Sequence, residues 1–300
     1  MQLGAGEHAQ EKPGSTMNTQ GGTGAPDLSV VAPAHNEEEN IAALVREVAA
    51  ALRAIEYEFI IVDDGSTDST RAKILAEMAA NPRVRCVAMT RTPPGKGNGQ
   101  SAAFHAGFRA ARGPLIAVLD ADLQNDPRDL PMMLDTMRRT GADMIQGDRS
   151  HARKDTIVRR YGSIVGRVFR RLILGDSVRD TGCSLRVMKR EFALGLPLEF
   201  RGMHRFIPVG VAHQGGKVVE VQVNHRPRAA GTTKYGAGLK RAIPGLVDCF
   251  AVRYMKDRRR PTENIEVIAS ASPRPAADGV APQIATPRPA SREVAGHGAA

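Results

Sequence analysis

The chain is 300 residues long and 42% hydrophobic, enough to bury a sizeable core in one large domain. A net charge of +10 asks for an anionic partner. Nucleic acid is argued against by the absence of tryptophan, the 4% of aromatic residues and the lack of any helix-turn-helix, zinc-finger or RNP-type pattern.

Residues 1–26 hold almost no bulky apolar side chain and are expected to be disordered. They lack the charged, apolar and cleavage regions of a secretory leader, and no apolar run reaches the roughly 18 residues of a transmembrane helix. Cys86, Cys183 and Cys249 are odd in number and far apart, so no disulfide framework or metal-ligand spacing is present, and Cys86 reads as core. A cytoplasmic location is therefore expected. "LSVVA" (28–32) reads as the first strand. A helix from Asn36 to about Ile55 follows, with Ile41, Leu44, Val45, Val48 and Leu52 on one face. Asn36 is placed to cap it, with Glu39 in the capping-box position. "FIIV" (59–62), "VRCVAM" (84–89), "LIAVL" (115–119) and "DMIQG" (143–147) read as further strands. Helices are expected from "DDGSTDST" to about Ala80, through "GNGQSAAFHAGFRAAR", and near 128–140. This alternation implies an α/β fold with a mainly parallel sheet and helices on both faces. Ligands in such sheets bind beyond the carboxyl ends of the strands. Residues 35–39, 63–68, 91–100 and 120–126 are thus expected to converge on one rim.

A dinucleotide fold would carry G-x-G-x-x-G in its first turn, presenting amides to pyrophosphate. Here that turn is "PAHNEEEN", whose carboxylates repel phosphate, while "GKGNGQSA" follows the third strand and lacks the G-K-[ST] of a P-loop. The latter reads equally well as a flexible glycine turn into a helix. The acids follow a different logic. If 120–124 stays extended, Asp120, Asp122 and Gln124 face one side, an oxygen set suited to Mg²⁺ or Mn²⁺. An acidic loop after a strand remains the plain alternative. Asp63 and Asp64 stand where carboxylates can hold a base or ribose, and Ser66, Thr67 and Asp68 also suit a turn and helix cap.

Six segments in order, "VVAPAHNEEENI", "FIIVDDGSTDST", "GKGNGQSAAFHAG", "VLDADLQNDP", "DTGCSLRVMKR" and "RAAGTTKYG", resemble the family 2 glycosyltransferases of the GT-A fold. Within that family they are similar to the polyprenyl-phosphate glycosyltransferases, the group of dolichol-phosphate mannose synthase and bacterial undecaprenyl-phosphate sugar transferases. The resemblance covers about residues 28–240. It implies a Rossmann-like, mostly parallel sheet flanked by helices, in a single domain at 27–238. The tails at 1–26 and 261–300 fall outside it, and the Pro-, Ala-, Arg- and Ser-rich composition of 261–300 reads as disordered.

By that resemblance Pro33, Glu37, Asp64, Asp120 and, less directly, Glu38 hold the nucleotide, and Asp120, Asp122 and Gln124 bind the metal. Arg149 and Arg186 match arginines that contact donor or acceptor phosphates. Arg228 and Lys234 match a segment that closes over them, and guanidinium forks suit phosphate oxygens. The family's Q-D-P-P is "QNDPRD" here, one residue longer, which leaves Asp126 either in the site or as a cap before Pro127. The Q-x-x-R-W segment of relatives acting on sugar hydroxyls is absent, and "MHRFIP" (203–208) stands in its region. His204 and Arg205 there either orient an acceptor phosphate or, for His204, pack beside the site. The implied activity is an inverting transfer from a nucleotide sugar, GDP-mannose or a UDP-sugar, to a polyprenyl phosphate. Catalysis would draw on Asp122, Arg149, Arg186, Arg205 and Lys234 with Mg²⁺ or Mn²⁺. The alternatives are a family 2 enzyme acting on a saccharide hydroxyl and a non-enzymatic basic scaffold on membranes.

Residues 239–260 place Leu239, Ile243, Leu246, Val247, Phe250 and Tyr254 at helical spacing among Lys240, Arg241, Arg253 and Arg258–Arg260. Such a helix suits an anionic membrane surface, and Pro244 should break or start it. Residues 157–174 carry Ile157, Tyr161, Ile164, Val165, Val168 and Leu172 on one face, expected to pack on the chain's own domain.

Overall fold

The computed structural model describes residues 24–93, 95–151, 157–227 and 242–260, with side chains omitted at 157–165 and 242–243. The strands are β1 Leu28–Ala34, β2 Tyr57–Asp63, β3 Val84–Ala88, β4 Leu115–Val118, β5 Met144–Asp148, β6 Arg186–Lys189 and β7 Val218–Gln222. The helices are α1 Ile41–Ala51, α2 Thr70–Ala80, α3 Gln100–Ala110, α4 Leu130–Thr140, α5 Ile157–Leu174, α6 Arg190–Leu194, α7 Ile207–His213 and α8 Ala242–Arg258. All lie in the first of two compact units, Met1–Arg258. Of the expected tails only 24–26 are among the described residues.

The seven strands form one sheet in the order β3-β2-β1-β4-β6-β5-β7. Every pairing is parallel except those of β6, which runs antiparallel to both β4 and β5. Alternate strand residues feed two cores, as period-two side chains must. Val30, Phe59, Ile61, Ala117 and Ile145 pack with α1, α2 and α4 on one face. Val31, Ile60, Val62, Ile116 and Met188 pack with α3, α7 and α8 on the other. Phe104 and Phe108 of α3, one turn apart, stack at 5.7 Å in that second core. Full burial of side chains this size stabilises by about 1.5–3 kcal/mol each. The same helix lies close on the sheet at Gly107, where a Cβ would stand 2.4 Å from Val31 Cγ1.

This topology makes the rim. β1, β2, β3, β4, β5 and β7 all end on one edge, and β6, being reversed, begins there. The loops after six strands and the loop before the seventh therefore share one edge.

Two local expectations are corrected. The first helix begins at Ile41, and Asn36 does not cap it: Asn36 sits at φ 53°, and its side-chain oxygen accepts from the Thr67 N–H at 2.8 Å. The segment 120–124 is not extended. It turns at Ala121–Asp122, with Leu123 at φ 61°, so side-chain alternation does not govern where 120, 122 and 124 point. Pro244 falls in the first turn of α8, where its missing N–H breaks no helical bond. Among the described residues no helix is long and apolar enough to cross a membrane.

Candidate active site

The rim is assembled loop by loop through backbone-to-side-chain bonds. The loop after β1 is fastened to the loop after β2. Asn36 N–H donates to Ser66 Oγ (3.0 Å), Glu37 N–H to Thr70 Oγ1 (2.8 Å) and Ser69 N–H to Glu38 Oε2 (3.0 Å). His35 Nδ1 lies 2.8 Å from the Asp64 carbonyl. The Glu37 carboxylate accepts from Asn40 Nδ2 at 2.8 Å. Pro33, opposite Val62, lies beyond the last β4 partner, so its missing N–H leaves no ladder bond unmade between β1 and β4.

Asp63 and Asp64 diverge. Asp63 is buried, accepts from Ser66 N–H at 3.0 Å and pairs with Arg71 at 2.5 Å. Asp64 turns to the glycine loop, where its oxygens accept from the Asn98 N–H (2.9 Å) and the Gly99 N–H (2.7 Å). Gly97 lies so close that a Cβ would stand 2.2 Å from Asp64 Oδ2. "GKGNG" is thus a cradle for a carboxylate rather than a free turn. It leads directly into α3, whose first residue continues the chain of contacts.

Gln100 Nε2 donates to Asp120 Oδ1 at 2.7 Å, and Ser184 Oγ donates to Asp120 Oδ2 at 2.5 Å. Asp120 N–H donates to Asn125 Oδ1, closing the turn. Burial and then the Asp122 carboxylate push the Asp120 pKa up to about 6, against the Ser184 hydroxyl and the more distant Arg186 and Arg149. Asp122 is buried and accepts from the Gln124 N–H at 3.1 Å. Gln124 also gives its carbonyl to Arg226 N–H at 2.9 Å. Asp120 makes no ion pair among the described residues, and each of its oxygens keeps a further lone pair. Asp120, held by neutral donors beside the Asp122 carboxylate, fits a hard divalent cation, which would relieve the repulsion between the two acids. No three acidic, His or Cys side chains converge among the described residues. A cation here would therefore complete its shell from oxygens such as nucleotide phosphates.

Asp126 belongs elsewhere. It caps the 3₁₀ turn that Pro127 opens, accepting from Arg128 N–H at 3.1 Å, and pairs with Arg226 Nη2 at 2.6 Å. Burial would raise its pKa, but the Arg128 and Arg226 bonds hold it well below the usual carboxylate range. Arg226 is bound in turn by Glu47 at 2.6 Å. Asp129 accepts from the Asn224 N–H and Nδ2 at 2.7 and 2.8 Å. The chain leaving β7 is thereby clamped against the acidic turn just before Arg228. Arg228 and Lys234 themselves lie outside the described residues.

The arginines of the second half are turned inward. Arg149 Nε donates to Asp180 Oδ2 at 2.9 Å, joining the loop after β5 to the "DTGCS" loop. Arg186 is buried and donates to the carbonyls of Ser184 (3.2 Å), His204 (3.3 Å) and Cys183 (2.5 Å). Burial lowers its pKa to about 10. Arg186, expected by resemblance to contact phosphate, is buried here with each nitrogen of its fork bonded to a carbonyl. Instead it braces the loop carrying Ser184. His204 Nδ1 lies 2.9 Å from Ser101 Oγ. Burial, then Arg205 and Arg186, push the His204 pKa down to about 3. His204 is packed on α3 through Ser101, whose Oγ also accepts from the His204 N–H at 3.1 Å. Arg205 is exposed beside it.

Gln100, Ser184, Asn125 and Arg226 were not singled out by sequence reasoning. Gln100 and Ser184 sit inside quoted motifs, but their partner Asp120 is 20 and 64 residues away, a pairing no local spacing reveals.

The sequence model described as Glycosyl transferase family 2 matches residues 29–194. A dodecaprenyl-phosphate galacturonate synthase of Rhizobium johnstonii is 35% identical over 241 residues, 78% of this chain and 69% of that protein. An undecaprenyl-phosphate 4-deoxy-4-formamido-L-arabinose transferase of Pectobacterium carotovorum is 35% identical over 211 residues, 70% of this chain and 62% of that protein. The chain thus spans less than two thirds of that transferase. Among solved structures, glucosyl-3-phosphoglycerate synthase of Mycobacterium tuberculosis, in complex with Mn²⁺, UDP and phosphoglyceric acid, has TM-score 0.58 at 19% identity. That alignment covers 79% of this chain and 80% of that one, and shares the fold.

Proposed function

The chain belongs to glycosyltransferase family 2, and we propose that it moves a sugar from a nucleotide sugar to a polyprenyl phosphate. The observation that carries this reading is Asp120, held by the neutral donors Gln100 and Ser184 beside the buried Asp122 carboxylate, at the rim shared by the nucleotide-side loops. Both relatives reported above carry a polyprenyl phosphate in their names, dodecaprenyl phosphate in one and undecaprenyl phosphate in the other. The donor is GDP-mannose or a UDP-sugar. Its base and ribose lie against Pro33, Glu37 and Asp64, where the 35–40 and 64–69 loops are locked together.

Asp120 and Asp122, with Gln124, would hold Mg²⁺ or Mn²⁺. The ion, when bound, offsets the charge of the diphosphate leaving group. Gln100 and Ser184 hold Asp120 in place, and Arg186 holds Ser184. The acceptor phosphate is already an anion near neutral pH and needs no general base. Its oxygen attacks the anomeric carbon in line, the bond to the diphosphate breaks, and configuration inverts. Arg205 at the rim, with Arg149, Arg228 and Lys234, supplies positive charge to the phosphates.

The test is a panel of GDP- and UDP-sugars with undecaprenyl and dolichyl phosphate, read by mass spectrometry with and without EDTA. A glycosylated polyprenyl phosphate that disappears with EDTA is expected. Transfer only to saccharide hydroxyls, or no transfer from any donor, would overturn the reading.

A further inference from the structure

Arg149 is the first residue past β5, and its side chain is 15% exposed at the rim. Its Nε donates to Asp180 Oδ2 at 2.9 Å, and its backbone N–H reaches the same oxygen at 3.4 Å. Among the described residues its Nη1 and Nη2 have no acceptor. A guanidinium gripped at Nε keeps its two-nitrogen end open, and that end can meet two oxygens of one phosphate.

Asp180 is itself held from several sides. It is buried, and its other oxygen, Oδ1, accepts from the Gly182 N–H at 3.2 Å. Its own N–H and that of Arg179 donate to Glu220 Oε1, at 3.3 and 2.8 Å. Its carbonyl accepts from Gln146 Nε2 at 3.2 Å, and the same amide nitrogen reaches the Cys183 carbonyl at 3.0 Å. Gln146 and Glu220 are register partners on β5 and β7, and Gln146 has no exposed surface. Two neighbouring strands thus each commit a polar side chain to the backbone around one aspartate. Gly182 completes the seat, since a Cβ there would stand 3.0 Å from Arg149 Nη2 and 3.3 Å from Asp180 Oδ1. The guanidinium therefore lies against the backbone of the loop.

The plain alternative is that this ion pair only fastens the loop carrying Ser184. That loop already has Arg186, whose nitrogens take the carbonyls of Ser184, His204 and Cys183, and it has Gln146 besides. The charge of Arg149 also acts on Asp120, so the guanidinium stands near the acidic turn.

We propose that Asp180 is a positioning residue that grips Arg149 by Nε, so that the two remaining nitrogens present one fixed fork to a phosphate at the rim. The proposal deepens the transfer reading above and rests on it. The phosphate is the donor's diphosphate or the acceptor's monoester. Calorimetry on the full chain measures binding of UDP and GDP with Mn²⁺, and of a detergent-dispersed short-chain polyprenyl phosphate. Initial rates give kcat and KM for donor and acceptor separately. Asp180→Ala should weaken one of the two ligand classes about tenfold and lower the matching kcat/KM at least as much. The class affected names the phosphate. Asp180→Asn keeps an oxygen for the Nε–H and should stay within about threefold of wild type. Asp180→Glu keeps the charge but moves the carboxylate by one methylene, and should fall about as far as Asp180→Ala, about tenfold. These two conservative variants carry the test if circular dichroism shows that Asp180→Ala does not fold. In an Arg149→Met background, Asp180→Ala should cost no more than about twofold further, because nothing is left to position. Full additivity of the two losses would make Asp180 a loop fastener and overturn the proposal. So would wild-type binding and turnover in both Asp180→Ala and Asp180→Glu, an outcome under which the transfer reading stands. Wild type that binds the phosphates without transferring sugar refutes the transfer reading alone, since the binding arms still report the fork.

Discussion

Two carboxylates at opposite ends of the sheet, the buried Glu58 and the half-buried Asp120, are treated in opposite ways. Glu58, near the start of β2, accepts from Ser29 Oγ at 2.7 Å and is paired with Arg85 at 2.5 Å and Arg112 at 2.9 Å. Burial would raise its pKa, but Ser29, the Arg112 N–H and the two guanidiniums outweigh it, and the net shift is downward. Asp120, just past β4, is met by an amide and a hydroxyl, and its pKa rises to about 6. Both acids have hydrogen-bond partners; among the described residues only Glu58 is ion-paired, while Arg186 and Arg149 act on Asp120 from further off. Where the sheet needs closing, the fold supplies cations. At the rim it supplies neutral donors that fix the carboxylate's position and leave its charge for something else to meet.

That contrast can be broken most severely at Asp122. Asp122→Ala should lower turnover by about 10²–10³-fold while the unfolding midpoint changes little, whereas Glu58→Gln should leave turnover within about twofold. Initial rates and calorimetry on both variants decide it. Next in size is Arg186→Met, which strips a buried donor from three carbonyls and should cost about 3 kcal/mol in denaturant unfolding. A smaller effect is expected at Gly97. Gly97→Ala drives a methyl into the Asp64 carboxylate and should raise the donor KM about tenfold, with kcat nearly kept, as measured by varying the nucleotide sugar.

The smallest effect concerns pH and the opposite end of the sheet. Because the folded pKa of Glu58 is depressed, its contribution is fully present above the ordinary carboxylate range near 4.5 and is lost as pH falls through its folded pKa. Thermal midpoints measured between pH 7 and 3 should fall more steeply for wild type than for Glu58→Gln. Parallel curves would mean that the two arginines do not hold the acid charged.

The parallel alternation of the first half, and the convergence of 35–39, 63–68 and 120–126, were legible because parallel βα units put every loop of one kind on one edge. The reversal of β6 was not. Arg186–Lys189 is four residues long, and nothing in its pattern marks direction, yet that reversal brings Ser184 to Asp120. The acidic turn was read with the wrong geometry, since Leu123 at positive φ is a conformation that a leucine does not announce. The carbonyl partners of Arg186 were hidden for a related reason. A motif marks a position, whereas burial decides whether its guanidinium faces a ligand or a carbonyl. Gly97 shows the converse: its glycine was visible, and the carboxylate it makes room for, 33 positions earlier, was not.

The acidic turn is tested most directly by titrating Mn²⁺ into the full chain with saturating UDP or GDP in a calorimeter. One ion should bind per chain, binding should be lost in Asp122→Ala, and Glu58→Gln should behave as wild type. Wild-type Mn²⁺ affinity in Asp122→Ala would place the cation elsewhere and contradict the assignment of the Asp120–Gln124 turn.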